Sequence, residues 1–146
     1  MKRSIRRGLA AAAGLLVLGS LPAAERGKEP EKVTVQHILI SFKGKTKKPV
    51  TRKKAEAEAL AKSLLERIAK GEDFDALVKQ YTDDQYPGIY TITNDGVPVE
   101  SGAVTRENMA MSFGDVSFSL AVGEVGMAKY DGFKSPYGWH IIKRLE

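Results

Sequence analysis

Lys32-Val33-Thr34-Val35-Gln36-His37-Ile38-Leu39-Ile40-Ser41-Phe42 is a run rich in Val, Ile and Thr, bounded by Gly44. Branched side chains of this kind pack well on a pleated surface, so the run is read as a β-strand. Apolar residues fall at both odd and even positions, and a strand that is apolar on both faces belongs in the middle of a sheet rather than at its edge. His37 sits at the centre of this strand.

Toward the N-terminus, Ala24–Glu31 (AERGKEPE) is polar, contains Gly27 and Pro30, and reads as a short flexible leader. Before it, Lys2, Arg3, Arg6 and Arg7 precede the apolar run Leu9–Leu18 (LAAAAGLLVL). A basic stretch, a short apolar stretch and small residues after it have the pattern of a secretory signal peptide over residues 1–23. The run is about half of the ~20 residues that a membrane-spanning helix needs, so no stable membrane span is expected. Leu21-Pro22-Ala23 places the expected cut near Ala23, and Arg6-Arg7 also permits a twin-arginine reading. Retention of the segment as an anchor stays open at this stage. The expected location is periplasmic or extracellular.

Removing the four basic residues of that segment lowers the formal charge from +5 to +1. Nothing global then favours a nucleic-acid partner. No cysteine is present, which excludes a disulfide framework, a thiol nucleophile and an N-terminal lipidated Cys.

Toward the C-terminus, Lys43–Pro49 reads as a basic loop. Thr51 is expected to cap a helix carrying Ala57, Leu60, Ala61, Leu64, Leu65 and Ile68 at three- and four-residue spacing, with Gly71 at its C-terminal end. A shorter helix is expected from Asp73, burying Phe74, Leu77, Val78 and Tyr81. Gly88–Thr93 is a strand candidate closed by the turn signal Asn94-Asp95-Gly96. Two short helices are expected, from Thr105 to Met111 and over Asp115–Leu120. Met127–Tyr130 and Trp139–Leu145 read as the last strands, separated by Asp131, Gly132, Ser135, Pro136 and Gly138. This order gives an α+β domain over residues 32–146, with about four helices around a small antiparallel sheet of about four strands.

Four segments resemble, in order, the parvulin family of peptidyl-prolyl cis-trans isomerases. They are Val35-Gln36-His37-Ile38-Leu39-Ile40, Gly71-Glu72-Asp73-Phe74-Asp75-Ala76-Leu77, Phe118-Ser119-Leu120 with Val122-Gly123-Glu124-Val125, and Ser135-Pro136-Tyr137-Gly138-Trp139-His140-Ile141-Ile142-Lys143. The resemblance covers roughly Lys32 to Glu146 and implies a parvulin-like fold with His37 and His140 side by side on two central strands. It aligns Asp84 with a position that is Cys or Asp in the family. Met109 and Phe113 fall on the apolar residues that hold the substrate proline, and Ser135 and Tyr137 on the positions before the second histidine. The chain departs from the family between Asp84 and Met109, where Pro87-Gly88-Ile89-Tyr90 and a longer excursion stand in place of a Gly-Gly-Asp-Leu-Gly stretch. The third pocket residue is therefore Ile89 or Tyr90.

What the resemblance implies is rotation about X-Pro bonds of exported polypeptides, without a cofactor. Prolyl rotation breaks amide resonance over a barrier of ~18–20 kcal/mol and makes no covalent bond, so neither nucleophile nor metal is needed. An apolar cup that holds the ring, beside a buried polar network, suits it. Other readings are a domain that holds unfolded chains without catalysis, and a metal site at His37, His140 and Asp83 or Asp84. Two histidines without local ligand spacing argue poorly for the metal site. Lys43, Lys45, Lys47, Lys48, Arg52, Lys53 and Lys54 form either a solvated basic face or, through Lys47 and Lys48, a preference for an acidic residue before proline. A lysine's point charge lacks the arginine fork that phosphate reading favours.

Overall fold

The computed structural model describes residues 27–146; the expected signal segment and residues 24–26 of the expected leader lie outside them. The strand read first is β1, Lys32–Ile40. It is the third of five in a sheet, between antiparallel neighbours β2 (Ile89–Thr93) and β5 (Trp139–Arg144). β4 (Val125–Ala128) pairs antiparallel with β5, and β3 (Val104–Thr105) runs parallel to β2, giving the order β3-β2-β1-β5-β4.

The alternation of side chains along a strand explains why β1 is apolar on both faces. Ile38 and Ile40 of β1, with Trp139 and Ile141 of β5, pack against Ala57, Ala61 and Leu64 of α1 (Lys54–Ala69) and Phe74, Leu77 and Val78 of α2 (Phe74–Tyr81). Val33, Val35 and Ile142 point the other way, onto Phe113 and Phe118 of α3 (Met111–Ser119), Leu120, Ala128 and Ile92. Each fully buried aliphatic or aromatic side chain contributes about 1.5–3 kcal/mol of transfer free energy, so the two clusters sandwich the sheet with cores on both sides.

Four sequence expectations need correction. The sheet has five strands instead of about four and contains one parallel pair. β3 is only two residues long, too short to show a period of two. Thr51 is not the cap of α1. The chain stays extended while Lys43 N–H bonds to the Arg52 carbonyl and the Arg52 side chain reaches the Ser41 carbonyl and Asp83; Lys53 is then the cap, its N–H donating to Glu56 at 2.8 Å. The two helices expected over 105–120 are a 3-10 turn, Arg106–Asn108, and the single helix α3. Extended backbone at Met109 and Ala110 separates them, and Gly114 lies inside α3 because a Cβ there would come within 3.0 Å of the Arg106 side chain. The structure therefore has three α-helices among the described residues.

Asp73 does cap α2, its Oδ2 accepting from Ala76 N–H at 2.8 Å, a favourable arrangement for a carboxylate at a helix N-terminus. The end of the expected leader is fastened down. Asn94 N–H bonds to the Glu31 carbonyl, Asn94 Nδ2 donates to the Pro30 carbonyl, and Glu29 pairs with Arg106 at 2.7 Å.

Candidate active site

β2 covers the edge of β1 only as far as Gln36. Beyond that point the unpaired backbone of β1 is satisfied by the loop that follows α2. His37 N–H donates to the Gly88 carbonyl at 3.0 Å and Asp83 N–H to the Leu39 carbonyl at 2.8 Å. Leu39 N–H donates to Thr82 Oγ1 and Ser41 N–H to Asp83 Oδ2. Close approach at Gly88 requires glycine: its φ is +66°, and a Cβ would lie 3.0 Å from the His37 carbonyl oxygen and 3.3 Å from the His37 ring. These bonds absorb Asp83, whose carboxylate also pairs with Arg52, and leave its neighbour Asp84 to face the strand.

On the α3 side of the sheet, Ile142 lies opposite His37 and Leu39 opposite His140. The two histidines are thus diagonal neighbours on one face. Their rings stack with centroids 5.4 Å apart and planes 26° apart, and the Nδ1 atoms are 3.2 Å apart. His37 Nε2 lies 3.1 Å from Asp84 Oδ2, and the same oxygen accepts from Tyr90 Oη at 3.3 Å. The bond from His37 is the largest influence holding the Asp84 carboxyl well down, at about 2, with Gln85 N–H and Tyr90 adding to it against burial. Burial presses the His140 imidazole toward its neutral form, to about 3. Burial and the nearby Asp84 charge push the Tyr90 phenol up. His140 Nε2 is buried with no hydrogen-bond partner among the described residues.

The Phe113 ring packs in a T-shape with both imidazoles, with centroids at 5.1 and 5.2 Å and planes near perpendicular. This geometry suits a ring quadrupole facing a neighbouring π-face. Together these groups form one end of a cavity of about 820 Å³, whose walls also include Leu39, Lys47, Lys48, Tyr86, Met109 and Tyr137. Lys48 Nζ is 3.2 Å from the Asp84 carbonyl oxygen. Tyr86 is fixed at the rim by Asp75, which accepts its hydroxyl at 2.9 Å and is itself held by Gln36 at 2.8 Å.

His37, His140, Asp84, Met109, Phe113 and Tyr137 thus converge on one cavity. Ile89 and Ser135 do not line it. Ile89 is half-exposed, and because the pleat turns neighbouring side chains to opposite faces, it is Tyr90 that faces inward. Ser135 is fully buried; its Oγ donates to the Gly138 carbonyl at 3.1 Å, and its backbone pairs with Asp131, so it holds the turn before β5. Leu39, Tyr86 and Asn108 were not anticipated as wall residues; the period of two would have placed Leu39 beside His37. Among the described residues, no three His, Cys, Asp or Glu side chains are grouped as a metal ion would require.

Comparison with known proteins agrees with this arrangement. Residues 22–146 match the family model of the PPIC-type PPIASE domain. The chain is 32% identical over 133 residues to chaperone SurA of Pseudomonas fluorescens, covering 90% of this chain and 27% of that protein. It is 37% identical over 112 residues to foldase protein PrsA of Geobacillus kaustophilus, covering 77% of this chain and 31% of that one. It therefore spans about a third or less of these relatives. The solved peptidyl-prolyl isomerase Ess1 from Candida albicans superposes with a TM-score of 0.60 at 26% identity, over 82% of this chain and 65% of that one. With the fold, the paired histidines and the matched span in agreement, the chain belongs to the PPIC-type peptidyl-prolyl isomerase domain family.

Proposed function

We propose that the chain catalyses cis-trans isomerisation of X-Pro bonds in unfolded or extended polypeptides, with the proline ring seated against Met109 and Phe113. The observation that carries this reading is the Asp84–His37–His140 chain of hydrogen bonds at the wall of a cavity whose adjoining surface is apolar. An apolar seat strips water from the amide. Loss of amide resonance leaves the nitrogen more basic and the carbonyl less polar, so a dry site with oriented dipoles favours the twisted form over either planar isomer. Each ~1.4 kcal/mol of that preference gives tenfold in rate. His37, His140, Asp84 and Tyr90 supply the oriented polar wall, and no step forms or breaks a covalent bond.

The second reading is a parvulin-like module that holds unfolded chains without useful catalysis; the similarity to proteins described as a chaperone and a foldase favours it. A protease-free exchange assay on short X-Pro peptides separates the two, set beside suppression of aggregation of a proline-free client. Isomerase turnover that is lost on occupying the cavity supports the first reading; aggregation suppression without turnover supports the second.

Two finer points belong to the same proposal. The chain is exported, with its signal cut near Ala23; N-terminal sequencing of envelope or medium fractions tests this, and intact Met1 in the cytosol would overturn it. Lys47 and Lys48 favour an acidic residue before proline, because both line the cavity and an exposed charge pair of this kind contributes about 0.2–1 kcal/mol. Glu-Pro peptides should then exceed Lys-Pro peptides by a factor of a few, and the preference should vanish in Lys47→Ala/Lys48→Ala.

A further inference from the structure

A second cavity of about 620 Å³ adjoins the first and shares Asn108, Met109, Ala110 and Tyr137 with it. Part of its wall is apolar and open: Met111 is 50% exposed, Tyr137 51% and Phe133 80%, and Phe133 is the most exposed large apolar side chain among the described residues. Phe133 is not on a loose loop. Asp131 Oδ1 accepts from both Phe133 N–H and Lys134 N–H at 2.9 and 2.8 Å, Asp131 and Ser135 pair through their backbones, and Ser112 N–H at the start of α3 bonds to the Lys134 carbonyl at 2.9 Å. An aromatic side chain held in water by a fixed turn is preorganised to bind, since little ordering cost remains to be met on contact.

The charge around the two cavities differs in sign. Lys47 and Lys48 line only the first, whereas Asp95, Glu107 and Asp115 line only the second. Arg106, the one cation of the second cavity among the described residues, is engaged by Glu29 at 2.7 Å and by Asp115 at 2.9 Å. Asp95 and Glu107 make no ion pair among the described residues.

We propose that the second cavity receives an apolar or aromatic side chain of the same polypeptide whose proline occupies the first, on a segment that also carries a Lys or Arg. This rests on the reading of the first cavity as the proline site. Continuity of the two cavities fixes the occupant as one chain. An extended backbone advances about 3.3–3.6 Å per residue, so a few residues of one chain carry it from the first cavity into the adjoining second. Asp95 and Glu107, which have no ion-pair partner among the described residues, select a basic neighbour, and the shared wall at Asn108–Ala110 keeps both cavities in register.

The test uses peptides with one common X-Pro core, either bare or extended by Phe-Lys, Phe-Glu, Ala-Lys or Ala-Glu placed three residues before or after the proline. Both kcat/KM, by protease-free exchange, and Kd, by fluorescence anisotropy, are measured for wild type, Phe133→Ala and Glu107→Lys. On one side of the proline the Phe-Lys extension should exceed Ala-Glu by about tenfold. Phe133→Ala should bring the Phe-to-Ala ratio close to one, and Glu107→Lys should move the preference from Phe-Lys to Phe-Glu. The proposal is overturned if wild type does not discriminate, if discrimination survives Phe133→Ala, or if sedimentation shows that Phe133 serves self-association instead. If the bare core peptide is bound but not isomerised, the catalytic reading fails while the Kd ratios still decide the second cavity.

Discussion

The Nδ1 atoms of His37 and His140 stand 3.2 Å apart, a separation that holds one proton between them. Its position follows from Asp84. An ionised carboxylate only accepts, so His37 Nε2, 3.1 Å away, must carry hydrogen. In the neutral dyad His37 Nδ1 is then bare and accepts from His140 Nδ1–H, which leaves a lone pair on the buried His140 Nε2. Long-range nitrogen–proton NMR at neutral pH should therefore find His140 as the Nδ1–H tautomer. Finding it as the Nε2–H tautomer would mean that His37 donates at both nitrogens instead.

A pair that shares one proton acts as one unit. His37→Ala leaves His140 Nδ1 buried without its partner, and His140→Ala does the same to His37, at a cost of about 1–3 kcal/mol in either case. Both variants should melt lower and isomerise more slowly without becoming inactive. The double variant should lose less than the sum of the singles, because each single has already broken the shared contact. Thermal melts and exchange kinetics on the four proteins check this; strictly additive losses would point to independent roles.

Phe113 is almost fully buried, yet its ring packs in a T-shape with both imidazoles and forms part of the cavity wall. Phe113→Ala should reduce kcat/KM on X-Pro peptides by at least about tenfold, equivalent to about 1.4 kcal/mol or more in the barrier. Circular dichroism must show a folded variant, since truncating a buried Phe also costs about 3–5 kcal/mol of stability. Phe113→Leu keeps most of the packing and should recover stability more fully than activity. Equal recovery of both would assign Phe113 to packing alone.

Local pattern made much of this legible in the sequence. α1 and α2 carry a helical period, β1 and β5 are short apolar runs bounded by turn residues, and Asp73 is a recognisable cap, so these elements could be read within a few residues. Pattern failed where structure depends on distant partners. β3 exists because two residues happen to lie beside β2, and Gly114 sits inside α3 because Arg106 passes over it. The histidines could be named but not joined, since neighbouring of β1 and β5 is a tertiary fact that entered only through the family resemblance. Asp83 and Asp84 are alike in local pattern, and only the family resemblance singled out Asp84; in the structure Arg52 and the Ser41 amide engage Asp83. Strand register likewise turns Tyr90, and not Ile89, toward the cavity.

Gly138 offers a test of how β5 is set in place. Its φ is +142°, and a Cβ at this position would lie 2.3 Å from the Ile40 carbonyl oxygen and 2.9 Å from Ser41 Cα. Both obstacles are backbone of the central strand and its continuation, which cannot rotate away like a flexible side chain. Gly138→Ala should therefore lower the melting temperature by about 10 °C or more, combining backbone strain with displacement of the strand that carries His140. Gly71→Ala is the control: it shares a positive φ but has nothing within 4 Å, so it should cost far less. Similar losses at the two positions would show that φ alone, and not the approach to Ile40, sets the requirement.

The acid limb of stability follows from the same buried dyad. Burial lowers the His140 pKa from 6.5 to about 3, so between those values the unfolded chain binds a proton that the folded chain refuses. Unfolded-state binding makes stability rise with pH, and stability must therefore fall as pH drops through about 6.5 toward 3. Asp84, lowered from 3.8 to about 2, acts in the same direction at lower pH. Its stabilisation is complete above 3.8 and is lost as the pH falls toward 2. Melts should show Tm falling by about 5 °C or more between pH 7 and about 4.5. His140→Gln removes the titrating ring while keeping a polar group, so its Tm should start lower but decline less over that interval. Asp84→Asn should retain the upper part of the decline and lose the part below about pH 4. Parallel wild-type and His140→Gln curves would assign the acid limb to other groups.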